Sequence, residues 1–329
     1  SGRPGQCDES LTHQLLDRYA AWGGNFLDTA DVYGTGNSET VVGTWLERQK
    51  REDFVVATKC RGNMGYNVNS VGLSRRHITK SIEDSLRRLH TDYVDVYQTH
   101  AFDNATPLEE TFRTMDDLVR CGKIRYVGVS NVSGWQLQKI VDTQKQLGLN
   151  PIVSLQVGVS VFLSLYTTPF SPQPPTPYCI SLWSFRGLLT GKVKRGEKPT
   201  QGRLGWVAED AKRNMQSHPL WSAMPDRVFD TIEAAEAIGK VHGRSIAQVS
   251  IRWLLQRDVT TSVIIGATSL AQLDQNMDVN GWTLSAQEMA QLDQVSTPDL
   301  PYPYEMVTRM NQGRDNHYAN DYYVKSVVS

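Results

Sequence analysis

Four side chains in the first third of the chain are suited to moving a proton and holding a negative oxygen: Asp28, Tyr33, Lys59 and His100. Three of them stand where short apolar runs end. Asn25-Phe26-Leu27 stops at Asp28, Phe54-Val55-Val56-Ala57-Thr58 stops at Lys59, and Tyr93-Val94-Asp95-Val96-Tyr97 runs on to His100, while Tyr33 lies in the loop after Asp28. Hydride addition to a carbonyl carbon leaves negative charge on the oxygen, which a tyrosine hydroxyl can protonate. A phenol ordinarily keeps its proton to about pH 10, and a nearby lysine ammonium favours the phenolate and eases the transfer. Asp28 would keep Lys59 charged and in place, and His100 would give a hydrogen bond to the same oxygen. Taken singly, each residue has an ordinary structural role open to it: a turn cap, a solvated strand end, a packed ring, a satisfied histidine. Their recurrence at successive strand ends is what favours chemistry.

Such scattered residues meet only if the elements carrying them run in parallel. Four further runs fit this: Tyr126 to Val129 ending at Ser130-Asn131, Ile152 to Leu155 ending at Gln156, Ile180 to Trp183 ending at Ser184, and Ser262 to Ile265 ending at Gly266. Between the runs, apolar residues at helical spacing predict helices over Leu11 to Trp22, Glu39 to Gln49, Arg75 to Leu89, Leu108 to Cys121, Gly134 to Leu147, Pro225 to His242 and Ser245 to Arg257, with Ser74 and Ser245 as N-caps. This alternation predicts α/β structure with a parallel sheet, in the form of a (β/α)8 TIM barrel, whose strand ends converge on one mouth. A doubly wound fold would want a G-x-G-x-x-G turn after its first strand, and Gly34-Thr35-Gly36 has Glu39 where the third glycine belongs. One domain over 1–329 is expected, with a loop excursion at 191–225 and an aromatic-rich C-terminal tail at 297–329.

The stretch Asn25-Phe26-Leu27-Asp28-Thr29-Ala30-Asp31-Val32-Tyr33-Gly34, with Ala57-Thr58-Lys59, Gln98-Thr99-His100 and Gly128-Val129-Ser130-Asn131, resembles the aldo-keto reductase superfamily. The resemblance implies that Asp28, Tyr33, Lys59 and His100 form a catalytic tetrad with Tyr33 as general acid. It further implies that Ser130, Asn131 and Gln156 hold a nicotinamide carboxamide, that Trp183, beside Ser184, stacks on the ring, and that Gly266, Thr268, Gln272, Gln275 and Asn276 meet the adenosine and its 2′-phosphate. NADPH is the implied cofactor, with NADH as an alternative. No Arg or Lys lies between Gly266 and Asn276, so preference for the extra phosphate is expected to be modest. Against the family pattern, the first barrel strand is expected to be lacking and the segment 157–182 to be altered. Five prolines between Val157 and Cys179 stand where the family continues with a helix.

Composition narrows the function classes. The 34 basic and 35 acidic side chains leave a net charge of −1, which gives no electrostatic case for nucleic acid or an acidic membrane surface. The cysteines Cys7, Cys60, Cys121 and Cys179 have no metal-ligand spacing, so no metal site is expected and reduced thiols are. The expected address is cytoplasmic, and the expected partner is a small-molecule carbonyl substrate; nothing in the sequence fixes an oligomeric state. A second reading from another class is a catalytically weak cofactor-binding or regulatory protein, resembling the channel-subunit members of the superfamily.

Overall fold

The structure, a computed structural model, describes residues 7–65, 67–158, 178–181, 195, 226–258, 260–297 and 302–311. Helix and strand alternate as the periodicity predicts: α1 (Glu9–Ala21), β1 (Phe26–Asp28), α2 (Asn37–Leu46), β2 (Val55–Cys60), α3 (Arg75–Leu89), β3 (Val94–Thr99), α4 (Leu108–Arg120), β4 (Ile124–Ser130), α5 (Gly134–Leu147) and β5 (Ile152–Gly158). Then come β6 (Tyr178–Ser181), α6 (Asp226–His242), α7 (Ile246–Leu255), β7 (Thr260–Ile264), α8 (Leu270–Met277), α9 (Ala286–Ser296) and α10 (Tyr304–Asn311). The local signals behind these helices are visible. Ser74 accepts a bond from the His77 N–H at the start of α3, and Ser245 forms a capping box with Gln248 at the start of α7. Helix α4 shows why its stretch folds as it does: Thr111, Phe112, Met115 and Leu118 recur at three- and four-residue intervals and are all buried.

The seven strands form one sheet in the order β1 to β7, every neighbouring pair parallel. Pairing of Asp28 with Ala57, of Cys60 with Thr99 and of Ser130 with Gln156 keeps the C-terminal ends of β1 to β5 level, so the loops carrying the chemistry emerge on one side. Beneath them Val56, Ile78, Ile82, Leu89, Tyr97, Phe112, Met115, Ile124, Val129 and Ile140 belong to one buried apolar cluster. The barrel predicted from sequence is therefore observed, among the described residues, as an open seven-stranded parallel sheet with β1 and β7 at its edges. The helices flanking those edges nevertheless meet. Asp274 of α8 accepts from Arg18 Nε at 2.7 Å, Arg18 Nη2 at 3.2 Å and Trp22 Nε1 at 2.7 Å, joining α8 to α1 and its C-cap.

Several boundaries differ from the sequence reading. Strand β6, described over Tyr178–Ser181, begins before the expected Ile180, with Cys179 paired with Gln156 and Ser262, a register that apolar alternation does not specify. Strand β5 continues through Gly158, so both margins of the altered segment 157–182 are strand. Trp183 and Ser184 lie outside the described residues, as does the 191–225 excursion apart from Arg195. Helix α9 was not expected, and α10 lies within the expected tail. Among the described residues no helix is long and apolar enough to cross a membrane.

Candidate active site

Lys59, on β2, is the centre of the site. Its Nζ donates to Asp28 Oδ1 at 2.8 Å, to Asp28 Oδ2 at 2.7 Å and to the Thr29 carbonyl at 2.8 Å, so all three ammonium protons are used. The two side chains are nearly dry, 1% exposed for Lys59 and 8% for Asp28, so each charge depends on the other. Asp28 is steadied from the strands beyond. Gln156 Nε2 donates to its Oδ2 at 3.1 Å, and Gln98 Nε2 reaches both its Oδ1 at 3.5 Å and Gln156 Oε1 at 2.9 Å. Gly128 makes room for this lattice, since a Cβ there would sit 2.5 Å from Ser154 Oγ and 2.9 Å from Gln98 Cγ.

Tyr33 is brought back over Lys59 by a tight reversal in which Gly34, Thr35 and Gly36 all take positive φ, at 60°, 56° and 93°. At Gly36 a Cβ would also meet Arg88 Cδ at 2.7 Å, so glycine is needed there twice over. The Tyr33 ring meets the His100 ring edge to face at 5.5 Å, and Lys59 Nζ lies 5.2 Å from the Tyr33 ring centroid. His100 follows β3 directly. Burial, and then the positive charges of Lys59 and Arg61, push its pKa down to about 4, so the imidazole is neutral at pH 7.

The ends of β4 and β5 bring Ser130, Asn131 and Gln156 beside this group. Asn131 has φ 52°, its N–H donates to the Gln156 carbonyl at 3.1 Å, and its Nδ2 donates to the His100 carbonyl and to Ser130 Oγ, both at 2.8 Å. Among the described residues the Ser130 hydroxyl proton and Asn131 Oδ1 have no partner, which leaves one donor and one acceptor for a carboxamide. Gly266, Thr268, Gln272, Gln275 and Asn276 stand apart from the tetrad, after the edge strand β7 and along α8. There Gln272 Oε1 accepts from Thr268 N and Oγ1, both at 3.0 Å, Asn276 Nδ2 donates to the Gly266 carbonyl at 3.3 Å, and Gln275 is exposed. Space around Gly266 is open.

The structure adds residues that the sequence reading did not single out. Gln98 was legible in principle, since it lies at the C-terminal end of β3, two residues before His100, where strand alternation points both the same way. Two fully buried acids, Asp31 and Glu39, had no such signal. Glu39 accepts from Thr58 Oγ1 at 2.5 Å and Arg88 Nε at 2.8 Å. Neither oxygen of Asp31 finds a side-chain partner. Burial, and then the charge of Glu39, raise its pKa to about 7, against the pull of the Val32 N–H, Arg88 and Lys59.

A buried lysine–aspartate pair under a tyrosine and a neutral histidine, at the ends of consecutive parallel strands, agrees with what similarity shows. The aldo/keto reductase family model matches residues 1–297. The chain belongs to this family. It is 33% identical over 287 residues to a probable voltage-gated potassium channel subunit beta of Oryza sativa subsp. japonica, covering 83% of the chain and 82% of that protein. It is 27% identical over 322 residues to an aryl-alcohol dehydrogenase of Pestalotiopsis microspora, covering 93% and 78%. It is 29% identical over 317 residues to aryl-alcohol dehydrogenase (NADP+) of Phanerodontia chrysosporium, covering 91% and 80%. Aldo/keto reductase relatives thus include both oxidoreductases and a channel subunit.

Proposed function

We propose that this chain is an NADP(H)-dependent reductase of aldehydes or ketones, with Tyr33 as the general acid. The observation that carries the reading is the placement of the dry Lys59–Asp28 pair, with Lys59 Nζ 5.2 Å from the centroid of the Tyr33 ring. The donor set at the ends of β4 and β5 suits a nicotinamide amide: the Ser130 O–H would donate to its carbonyl, Asn131 Oδ1 would accept from its NH2, and Gln156, fixed by Gln98 and Asp28, would complete that wall. NADPH, when bound, supplies the hydride. As the substrate oxygen gains charge, Tyr33 passes its phenolic proton to it. Lys59 stabilises the phenolate that remains, and water from the mouth returns the proton afterwards. Asp28 holds Lys59 in place beneath Tyr33. Neutral His100 has one ring N–H, which can donate to the same oxygen while charge develops there. After β7, Gly266 and the start of α8 offer backbone access to phosphate, and Thr268 offers an uncharged contact to a 2′-phosphate.

The test is NADPH oxidation with a panel of aldehydes, parent against Tyr33→Phe. Loss of turnover with retained NADPH binding supports the assignment, and equal rates in the two proteins reject it. The likeness to the channel subunit favours a second reading, a cofactor-binding regulatory protein. Thermal stabilisation by NADPH with no turnover of any aldehyde would select it.

A further inference from the structure

We propose that Arg61 is the specificity-determining residue of the site, selecting aromatic carbonyl substrates that carry an anionic group, with Phe102 and Trp135 forming the wall for the aromatic body. The inference rests on the reductase reading and deepens it. Arg61 is the first residue after β2 and stands two positions beyond Lys59. Its backbone takes φ 130°, a conformation that side-chain-bearing residues rarely adopt and that folds retain mainly at functional positions. Two bonds hold it there: its carbonyl accepts from the Gly72 N–H at 3.1 Å, and its Nε donates to the Phe102 carbonyl at 3.0 Å.

That second bond spends one guanidinium N–H and fixes the plane of the fork. The N–H groups on the two terminal nitrogens have no hydrogen-bond or ion-pair partner among the described residues. Asp103 of the neighbouring loop feels the Arg61 charge but makes no direct bond to it. Asp103 is taken up by the Leu73 N–H at 2.8 Å, Thr106 Oγ1 at 2.8 Å and the Ala105 N–H at 3.1 Å. The Arg61 charge acts on His100, where it helps keep the imidazole neutral, which agrees with the tie of its Nε to the Phe102 carbonyl two residues beyond His100.

The apolar wall stands on the same side of the sheet. Phe102 follows β3, and Trp135 lies in the first turn of α5, just after Asn131. Their rings are 5.9 Å apart and tilted by 57°, and Trp135, four residues after Asn131, is 64% exposed, an indole left facing solvent. A flat aromatic substrate gains from such a surface, and a planar guanidinium with free terminal donors matches a carboxylate in bidentate fashion. Aromatic aldehydes bearing a carboxylate satisfy both features.

The experiment compares kcat/KM for 4-carboxybenzaldehyde, its methyl ester and benzaldehyde in the parent, Arg61→Gln, Arg61→Lys and Trp135→Ala. In the parent the acid should be preferred over ester and benzaldehyde by about thirtyfold, the scale of a charge-assisted hydrogen bond. In Arg61→Gln that ratio should fall to within about threefold of unity, and Arg61→Lys should keep part of it. Trp135→Ala should raise KM for acid and benzaldehyde together while keeping their ratio. No preference in the parent, or a ratio unchanged in Arg61→Gln, overturns the role of Arg61; unchanged KM values in Trp135→Ala overturn the wall. If Arg61→Gln fails to fold, the acid-to-ester ratio of the parent still decides, since the ester keeps the shape and loses only the charge. If no aldehyde turns over, the reductase reading falls first. The inference is then judged by calorimetric titration of terephthalate into parent and Arg61→Gln: binding confined to the parent supports it, and equal binding or none rejects it.

Discussion

At the ends of β1 to β5, the bonds of the site cross the sheet: Asp28 is tied to Lys59, Gln98 and Gln156, which lie 31, 70 and 128 residues away along the chain. Beyond β7, the bonds of Thr268, Ser269 and Asn276 span only four, three and ten residues, and their side chains lie near the surface. The first region is a lattice that exists only once five strands have assembled. The second is a cap and turn that its own sequence can specify. Substitutions should therefore be severe and cooperative in the lattice, and mild and independent in the turn.

The largest expected effect is on rate. Tyr33→Phe should lower kcat for carbonyl reduction by about 10²- to 10⁴-fold, the usual worth of a positioned general acid, with NADPH affinity nearly unchanged. Parallel losses of kcat and cofactor binding would mean that Tyr33 shapes the pocket instead. Asp28→Asn should come next, costing about 3 to 5 kcal/mol of stability in a denaturant titration because Lys59 is left charged and dry without its partner. A cost below about 1 kcal/mol, the range of exposed ion pairs, would place the pair in effective contact with water.

Protonation sharpens the contrast further. His100, with its folded pKa near 4 against an ordinary 6.5, gives stability that is complete above pH 6.5 and is lost as pH falls toward 4. Asp31, near 7 against an ordinary 3.8, gives stability that is complete below pH 3.8 and is lost as pH rises toward 7. The two slopes oppose each other between pH 4 and 6.5. Replacing Asp31 by Asn removes one of them, so the stability of the variant relative to the parent should climb with pH across that window, by up to about 1.4 kcal/mol per pH unit. A difference that stays flat in melts at pH 4.5, 5.5 and 6.5 would show that Asp31 is ionised in the fold. The smallest effect belongs to the turn after β7. Gln272→Ala should weaken NADPH binding by less than about tenfold, near 1 kcal/mol, and the preference for NADPH over NADH should stay below about a thousandfold. A larger preference in competitive titration would require a cation from elsewhere in the chain at the 2′-phosphate.

The same contrast explains what could be read before any coordinates. Strand ends and caps are local, so Asp28, Lys59, His100, Ser74 and Ser245 stand where their runs and caps place them. Tyr33 was reachable because it lies in the loop directly after Asp28, within the stretch that carries the family resemblance. The burial of Glu39 under Thr58 and Arg88 was not, because it depends on α3 packing over α2, and a glutamate in the first turn of a helix reads as a surface residue. The register of β6 was hidden for a similar reason: it is set by Gln156 and Ser262 on its two neighbours, not by the alternation within Tyr178–Ser181.

The clasp between α1 and α8 has a consequence for how the molecule responds to its medium. Asp274, 34% exposed, and Arg18, 50% exposed, stand in water, whereas the Lys59–Asp28 pair does not. Dissolved ions screen the first interaction and hardly reach the second. Ionic strength therefore acts on these two ion pairs differently. Salt can slacken the tie between α1 and α8 while Lys59 and Asp28 keep their mutual attraction.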